Sequence, residues 1–351
     1  MQTEISKLGE FGLIDHLTKD IKLGNPQSLR GVGDDAAVMR YADTDVLVTT
    51  DLLLENVHFD LTYVPLKHLG YKAAVVNFSD IYAMNGTPRQ ITVSLGVSKR
   101  FTVEHIETLY EGIRLACEIY GVDLVGGDTS ASHQGLVISI TCIGDAPADK
   151  IVYRDGARDT DLICVSGDLG AAYMGLQLLE REKIASAGQK DFQPEFGGKE
   201  YIIERQLKPE ARKDIVAALA KAGIKPTAMM DVSDGLSSEL IHICTQSHCG
   251  CRIYEDRIPI DYQTASMAEE LNMNLVTAAL NGGEDYELLF TVPLADHEKI
   301  KKIEGVHVIG YITRPELGCA MITRDDTEIP LRAQGWNPLK EDESRQPDQA
   351  E

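Results

Sequence analysis

LKHLGYKAAVVNFSDIYAMNGTPRQITVSLGV, residues 66–97, holds the two periodicities from which the fold of this chain is read. Pro65 opens an apolar stretch, Leu66 to Met84, that has the length of a helix, and Gly86-Thr87-Pro88 stops it. Ile91 to Val97 then alternates as a strand does. Outward from there, Val46 to Thr50 reads as a preceding strand, Val103 to Tyr120 has helical spacing, and Leu136 to Ile143 is strand-like again. Strand, helix, strand, helix, strand predicts an α/β chain whose N-terminal half is α+β. The pattern restarts after Ile151 with a strand at Leu162 to Ser166, and Gly167-Asp168-Leu169-Gly170 leads into another helix.

The boundary belongs near Ala146 to Lys150, giving domains over 1–148 and 149–339. Residues 340–351, KEDESRQPDQAE, carry five acids, two bases and no bulky apolar side chain, the composition of a disordered acidic tail. Arg181 to Glu200 has little apolar periodicity and contains Gly188, Gly197 and Gly198. It reads as a mobile connection over a site or as an inert surface loop.

The 351 residues are 43% hydrophobic, as in a globular protein, and carry a net charge of -21 from 34 basic and 55 acidic residues. A surface of that sign argues against nucleic acid and anionic membrane as partners, and favours small cationic or metal-complexed ligands. No apolar stretch approaches the roughly 20 residues of a membrane span. MQTEISKLGEFGLIDHL lacks a basic-then-apolar leader pattern, so a cytoplasmic location is expected. Seven cysteines, an odd number, argue against a disulfide framework. Cys249-Gly250-Cys251 invites a metal reading but has no second close pair, and packing as small apolar residues competes with it.

Six short acidic motifs punctuate the chain: Gly33-Asp34-Asp35, Thr49-Thr50-Asp51, Ser79-Asp80, Gly126-Gly127-Asp128-Thr129, Asp231-Val232-Ser233-Asp234-Gly235 and Gly282-Gly283-Glu284-Asp285. Several follow strand-like runs, Asp51 at the end of Val46 to Thr50 and Asp128 after a strand end at Val125-Gly126-Gly127, and open α/β sheets bind ligands at strand ends. Two bare carboxylates about 4 Å apart repel by roughly 4 kcal/mol at an effective dielectric near 20, so convergence requires cations. Oxygen ligands select magnesium, which travels with phosphates. Each motif also has an ordinary reading. Gly33-Asp34-Asp35 could be a solvated turn, Thr50 and Asp51 could cap a helix, and Ser233 or Asp234 could cap the helix near Leu236. Asp80, in an apolar helix, needs a cation, a donor or water, and Lys72 about two turns earlier could pair with it. Glu284 could face inward or outward.

Together GVGDDAAV, VTTDLLLENVHF, YKAAVVNFSDIYAMNGTP, GVDLVGGDTS, YRDGA, DVSDGL and GGEDYELLFT resemble the thiamine-monophosphate kinase family, within the aminoimidazole-ribonucleotide synthetase-like superfamily. The resemblance runs from about Glu10 to Trp336. It implies an N-terminal domain that dimerises through its sheet, a C-terminal α/β domain that completes the site, and ATP-dependent phosphorylation of thiamine monophosphate to thiamine diphosphate by direct in-line transfer with several magnesium ions. By motif, it implies that Asp35, Thr49, Thr50, Asp51, Asp80, Asp128, Asp231 and Asp234 hold magnesium. Tyr110, Gly127, Asp128, Arg154 and Ser233 would contact ATP, and His58, Glu284 and Trp336 the thiamine phosphate. Arg154 offers a planar fork for phosphate, with a surface pair to Asp155 or Asp159 as the alternative. Trp336 offers an aromatic face for a cationic thiazolium, with buried packing as its alternative.

One departure is visible. The family commonly ends this region Gly-aromatic-x-His-Phe, whereas Gly335-Trp336 is followed here by Asn337-Pro338-Leu339. The rival functions are another ATP-dependent synthetase of the superfamily and a non-catalytic, magnesium-dependent nucleotide-binding protein. The usual Gly-Thr-Lys of purine-pathway synthetases is replaced by Thr49-Thr50-Asp51.

Overall fold

Leu66–Ala83 forms helix α1, and every residue from Leu69 to Ala83 except Asp80 is buried. A helix apolar on all sides needs cover on all sides. In the computed structural model, which describes residues 12, 14, 16, 18, 23–42, 44–186 and 196–334, a sheet, a second helix and the other half of the chain supply it. The second helix, α2 (Val103–Tyr120), ends at Gly121 in the left-handed region, φ 72°. Glycines set how closely the two helices approach. A Cβ on Gly70 would lie 2.0 Å from the Leu109 carbonyl oxygen, and one on Gly112 would lie 1.9 Å from that of Lys67.

The first sheet has the order β1-β2-β3-β6-β4-β5, from β1 (Ser28–Arg30), β2 (Ala37–Tyr41), β3 (Thr44–Leu54), β4 (Thr87–Val97), β5 (Asp123–Ala131) and β6 (Val137–Ala146). Only β4 and β5 run parallel, as expected of strands joined through α2, and the other neighbours are antiparallel. Two expectations are corrected here. The strand read as Val46 to Thr50 continues to Leu54, which puts Asp51 inside it. The stretch Val125-Gly126-Gly127 is no strand end, because β5 passes through both glycines and Asp128 to Ala131. Glycine weakened the strand signal there, but Gly127 (φ 157°) is required by packing: a Cβ would lie 1.9 Å from the Val93 carbonyl oxygen on β4.

The second sheet has the order β13-β12-β9-β11-β7-β10-β8. Its strands are β7 (Leu162–Ser166), β8 (Ala228–Asp231), β9 (Gly250–Tyr254), β10 (Leu288–Val292), β11 (Val306–Thr313), β12 (Cys319–Ile322) and β13 (Glu328–Pro330). β7, β8 and β10 are buried along their whole length, as strands covered on both faces should be, even though β8 ends the sheet. The flanking helices are α3 (Ala171–Ser186), α4 (Glu200–Leu207), α5 (Lys213–Lys221), α6 (Leu236–Gln246), α7 (Tyr262–Glu270), α8 (Leu275–Asn281) and α9 (His297–Ile300).

The segment read as a connection from Arg181 to Glu200 is helical at both ends, because α3 extends to Ser186 and α4 begins at Glu200. Ion pairs supply the anchoring that apolar periodicity did not: Arg181 meets Glu270 at 2.5 Å and Lys183 meets Asp60 at 2.8 Å. Gly188, Trp336 and the acidic stretch 340–351 lie outside the described residues.

Candidate active site

Within β3, alternation puts Thr49 and Asp51 on one face and Thr50 on the other. The Thr50 hydroxyl donates to the Ile140 carbonyl at 3.1 Å and accepts from Thr141 at 3.2 Å, a cross-strand pairing. Thr49 instead donates to the Asp80 carboxylate at 2.6 Å, and the Asp51 amide donates to Asn77 Oδ1 at 3.2 Å. Asn77 and Asp80 are three residues apart on α1, so one face of that apolar helix presents both polar groups to β3. Ser79, the neighbour of Asp80, reaches the other half of the chain and donates to Asp231 at 2.5 Å.

Four of the six acidic motifs converge. Carboxylate oxygens of Asp35, Asp80 and Asp231 lie within 4.8 Å of one another. Asp51 belongs to the same field, since its charge acts on Asp80 and Asp231. Burial pushes the Asp51 carboxyl up to about 6. Burial and then Asp35 push Asp231 up to about 7. Asp80 is raised well above the usual carboxylate range, by burial and then by Asp51, Asp231 and Asp35. This clustering of oxygen donors suits a hard divalent cation, which would offset the burial and, at Asp80 and Asp231, the mutual repulsion that raise these carboxyls. Asp80 keeps partial access to solvent, whereas Asp35 and Asp231 are 8% and 3% exposed, so the cluster opens on the Asp80 side.

The Gly33-Asp34-Asp35 turn is held by the second half of the chain. Arg154 grips Asp35 with both arms of its guanidinium, at 2.9 and 2.8 Å, and its amide donates to Asp34 at 2.9 Å. Asp34 also pairs with Arg30 at 2.6 Å, and Gln246 on α6 donates to the Gly33 carbonyl at 2.7 Å. The two acids therefore differ in duty: Asp34 fixes the turn and Asp35 enters the cluster. Arg154 pairs with Asp35 rather than with Asp155 or Asp159 as its surface alternative supposed. Asp155 pairs with Arg30 at 2.7 Å.

The remaining motifs divide. The loop between α8 and β10 closes on the Asp231 segment: the Glu284 amide donates to the Ser233 carbonyl at 2.7 Å and the Tyr286 amide to that of Val232 at 2.9 Å. Gly283 (φ 69°) permits this, because a Cβ would sit 2.5 Å from the Ser233 oxygen. Glu284 faces inward and meets Lys72 Nζ at 3.0 Å and Gln206 Nε2 at 2.9 Å. Lys72 thus pairs with Glu284 and not with Asp80, a non-local contact that helical spacing could not foretell. Asp285 turns the other way and accepts from the amides of Gly170 and Ala172 at 2.7 and 3.3 Å, at the start of α3.

The cap of the Asp231 loop is neither Ser233 nor Asp234. Buried Glu239 accepts from both their amides, at 3.2 and 2.8 Å, and sequence reading passed over it because it lies within α6. Asp80 is legible in sequence as an acid inside a mostly apolar helix, whereas Asn77, Gln206 and Glu239 carry no such signal. Asp128 and Gly127 lie on the exposed edge strand β5. Tyr110, on α2, is half-buried against the first core. His58 is exposed after β3, where its Nδ1 accepts from the Leu54 amide at 3.0 Å.

This pairing of a mixed sheet bearing one buried and one half-exposed helix with a second, helix-flanked sheet, joined at a carboxylate cluster, defines the AIR synthase-related class. The N-terminal domain model of that class matches residues 33–146 and its C-terminal model residues 160–318. Within the class, the thiamine-monophosphate kinase of Aquifex aeolicus is 35% identical over 322 residues, 89% of this chain and 98% of the relative. That of Bacillus subtilis is 34% identical over 345 residues, 95% of this chain and 100% of the relative. A solved structure described as AaThiL complexed with AMPPCP and TMP superimposes with a TM-score of 0.82 at 34% identity, over 96% of this chain and 99% of that one. The chain belongs to the thiamine-monophosphate kinase family, and it is an enzyme of that kind.

Proposed function

We propose that this enzyme transfers the γ-phosphoryl group of ATP directly to the phosphate of thiamine monophosphate, yielding thiamine diphosphate and ADP. The observation that carries the reading is the convergence of Asp35, Asp51, Asp80 and Asp231, drawn from both halves of the chain. Relatives of the same name, and a solved relative with a non-hydrolysable ATP analogue and TMP, support the choice of substrates.

The carboxylates of Asp35, Asp51, Asp80, Asp128, Asp231 and Asp234, with oxygens of Thr49 and Thr50, are the proposed magnesium ligands. Bound there, magnesium would neutralise phosphate charge and align donor with acceptor. The chain does the rest by placement. Arg154 offers a planar fork to ATP phosphate, which it can do only by sharing or leaving Asp35, its partner at present. Tyr110, Gly127, Asp128 and Ser233 complete the proposed ATP contacts. Glu284, fixed by Lys72 and Gln206, is the proposed acceptor contact together with His58 and Trp336, the last of which lies outside the described residues. The attacking phosphate oxygen is already ionised near neutral pH, so no side chain has to act as general base. An in-line path needs the two substrates held from opposite sides of the cluster, which suits a site built from two halves.

The proposal includes the division into domains over 1–148 and 149–339 with a tail over 340–351, a homodimer formed through the first sheet, and a cytoplasmic setting. No helix among the described residues is long and apolar enough to cross a membrane. The test is a single assay of purified protein with ATP, magnesium and thiamine monophosphate, following thiamine diphosphate and ADP together. Equal yields of both are expected. Tight ATP binding with no diphosphate, or ADP formed only with a purine-pathway substrate, would overturn the proposal.

A further inference from the structure

Four of the seven cysteines gather in the second half of the chain. Cys244 lies in the last turn of α6, Cys249 and Cys251 flank Gly250 at the start of β9, and Cys319 opens β12. β9 and β12 run parallel with Cys251 opposite Cys319, so both side chains leave the sheet on one face. Helix α6 packs against these two strands and brings Cys244 to them. Sulfur atoms of Cys244, Cys251 and Cys319 all lie within 4.8 Å of one another, and half-buried Cys249 stands two residues before Cys251 and packs on the same core.

The backbone is shaped for this approach. A Cβ on Gly250 would lie 2.5 Å from the Gly318 carbonyl oxygen, and Gly318 itself has φ 63°. The Cys251 amide donates to that same oxygen at 3.1 Å. Arg252, 7% exposed, donates to the carbonyls of Cys251, Gly318 and Leu317 at 2.9, 3.0 and 3.0 Å, bracing the segments that carry two of the thiols and setting a positive charge beside them.

Apolar packing accounts for one buried thiol at a time, since sulfhydryls are weak donors and weak acceptors. It gives no reason for three to meet where alanine or valine would fill the same space. Disulfides would join the four sulfurs only in pairs. A single ion engages all of them: tetrahedral zinc holds thiolates at about 2.3 Å, which sets sulfurs roughly 3.8 Å apart, inside the 4.8 Å limit that Cys244, Cys251 and Cys319 already meet.

We propose that Cys244, Cys251 and Cys319, with Cys249 as fourth ligand, form a structural site for a thiophilic divalent cation, zinc by its chemistry. Each thiol releases its proton to solvent as it coordinates, and Arg252, which also pairs with Glu328 at 2.9 Å, keeps a positive group near the negative charge that a four-thiolate zinc site retains. The site is separate from the carboxylate cluster. β9 lies four strand spacings from β8, which carries Asp231, or about 19 Å at ~4.8 Å per spacing. Its role is to tie α6, β9 and β12 together at the far edge of the second sheet.

Cobalt(II) titration of the reduced, full-length protein in excess magnesium tests this, because magnesium occupies oxygen sites and only thiolate ligation gives intense near-ultraviolet charge-transfer absorption. One equivalent of cobalt should develop that band, and zinc should abolish it. Cys251→Ser and Cys319→Ser should each weaken cobalt binding about tenfold or more, a loss at least as large as that from disturbing an outer-shell partner of a metal ligand. Circular dichroism checks that these variants fold, and if they do not, the wild-type titration decides alone. Folded, reduced wild-type protein that shows no charge-transfer band in excess cobalt overturns the site, as does a band unchanged in both variants.

Discussion

At the scale of single residues, the acids at the centre are distinguished by what else they touch. Asp35 has Arg154, Asp80 has Thr49 and Asp231 has Ser79, but the Asp51 contact is made by its backbone amide, which donates to Asn77 Oδ1 and leaves its carboxylate for a ligand. Asp51→Asn should therefore lower turnover by about 10²-fold or more at saturating magnesium while the fold persists, the loss typical of a single electrostatic stabiliser. Steady-state assays over a magnesium series would check it, and unchanged turnover would remove Asp51 from the site. Lys72 makes a different prediction. It is buried, it joins α1 to the Glu284 loop, and it also donates to the Gln206 carbonyl at 3.0 Å. Lys72→Met should destabilise the protein by about 1–3 kcal/mol in urea unfolding, because Glu284 and that carbonyl lose a charged donor. Glu284→Gln, which leaves an amide that Gln206 can still meet, should cost less.

At the scale of elements, the crossing of α1 and α2 is a tightly constrained contact in the first half of the chain. Gly70 and Gly112 each face a carbonyl oxygen of the other helix at a distance that no Cβ tolerates. Gly112→Ala should therefore destabilise by about 2 kcal/mol or more through overpacking, against the small gain in helix propensity that alanine gives elsewhere. Urea unfolding of the variant measures this, and a stabilised variant would show that the helices can part cheaply. Elements with clear periods were legible in the sequence: α2 spans Val103–Tyr120 and β7 spans Leu162–Ser166, the limits their patterns predict. β5 was not, since Gly126 and Gly127 interrupt its apolar run and its edge position leaves every residue exposed. Within the site, the convergence of carboxylates was legible because isolated acids in apolar contexts demand a common cation. The opposite orientations of Glu284 and Asp285 were not, because adjacent residues of one charge are told apart only by φ values and by partners on α1 and α3.

At the scale of the whole molecule, the cluster is the seam between the halves: Asp35, Asp51 and Asp80 come from the first and Asp231 from the second. Its ionisation therefore acts on the joint. In the unfolded chain these carboxyls titrate near 3.8, whereas in the fold burial and mutual repulsion raise Asp51 to about 6 and Asp231 to about 7. The folded state holds protons that the unfolded state has lost, so the stability contributed by the protonated carboxyls is complete below pH 3.8 and is lost as pH rises toward about 7. Asp285, raised to about 7 chiefly by burial, adds to the same decline but lies at the start of α3. A divalent cation binds only the ionised cluster, so its stabilisation should grow across the window in which the metal-free protein weakens. Thermal unfolding in chelator and in excess magnesium, at pH 5 and at pH 8, separates these effects. The metal-free midpoint should fall between the two pH values, and the rise produced by magnesium should be larger at pH 8. Asp51→Asn should lift the metal-free midpoint at pH 8 and shrink the magnesium increment, whereas Asp285→Asn should leave that increment intact. Equal magnesium increments at both pH values would show that the four carboxylates do not act as one cation site.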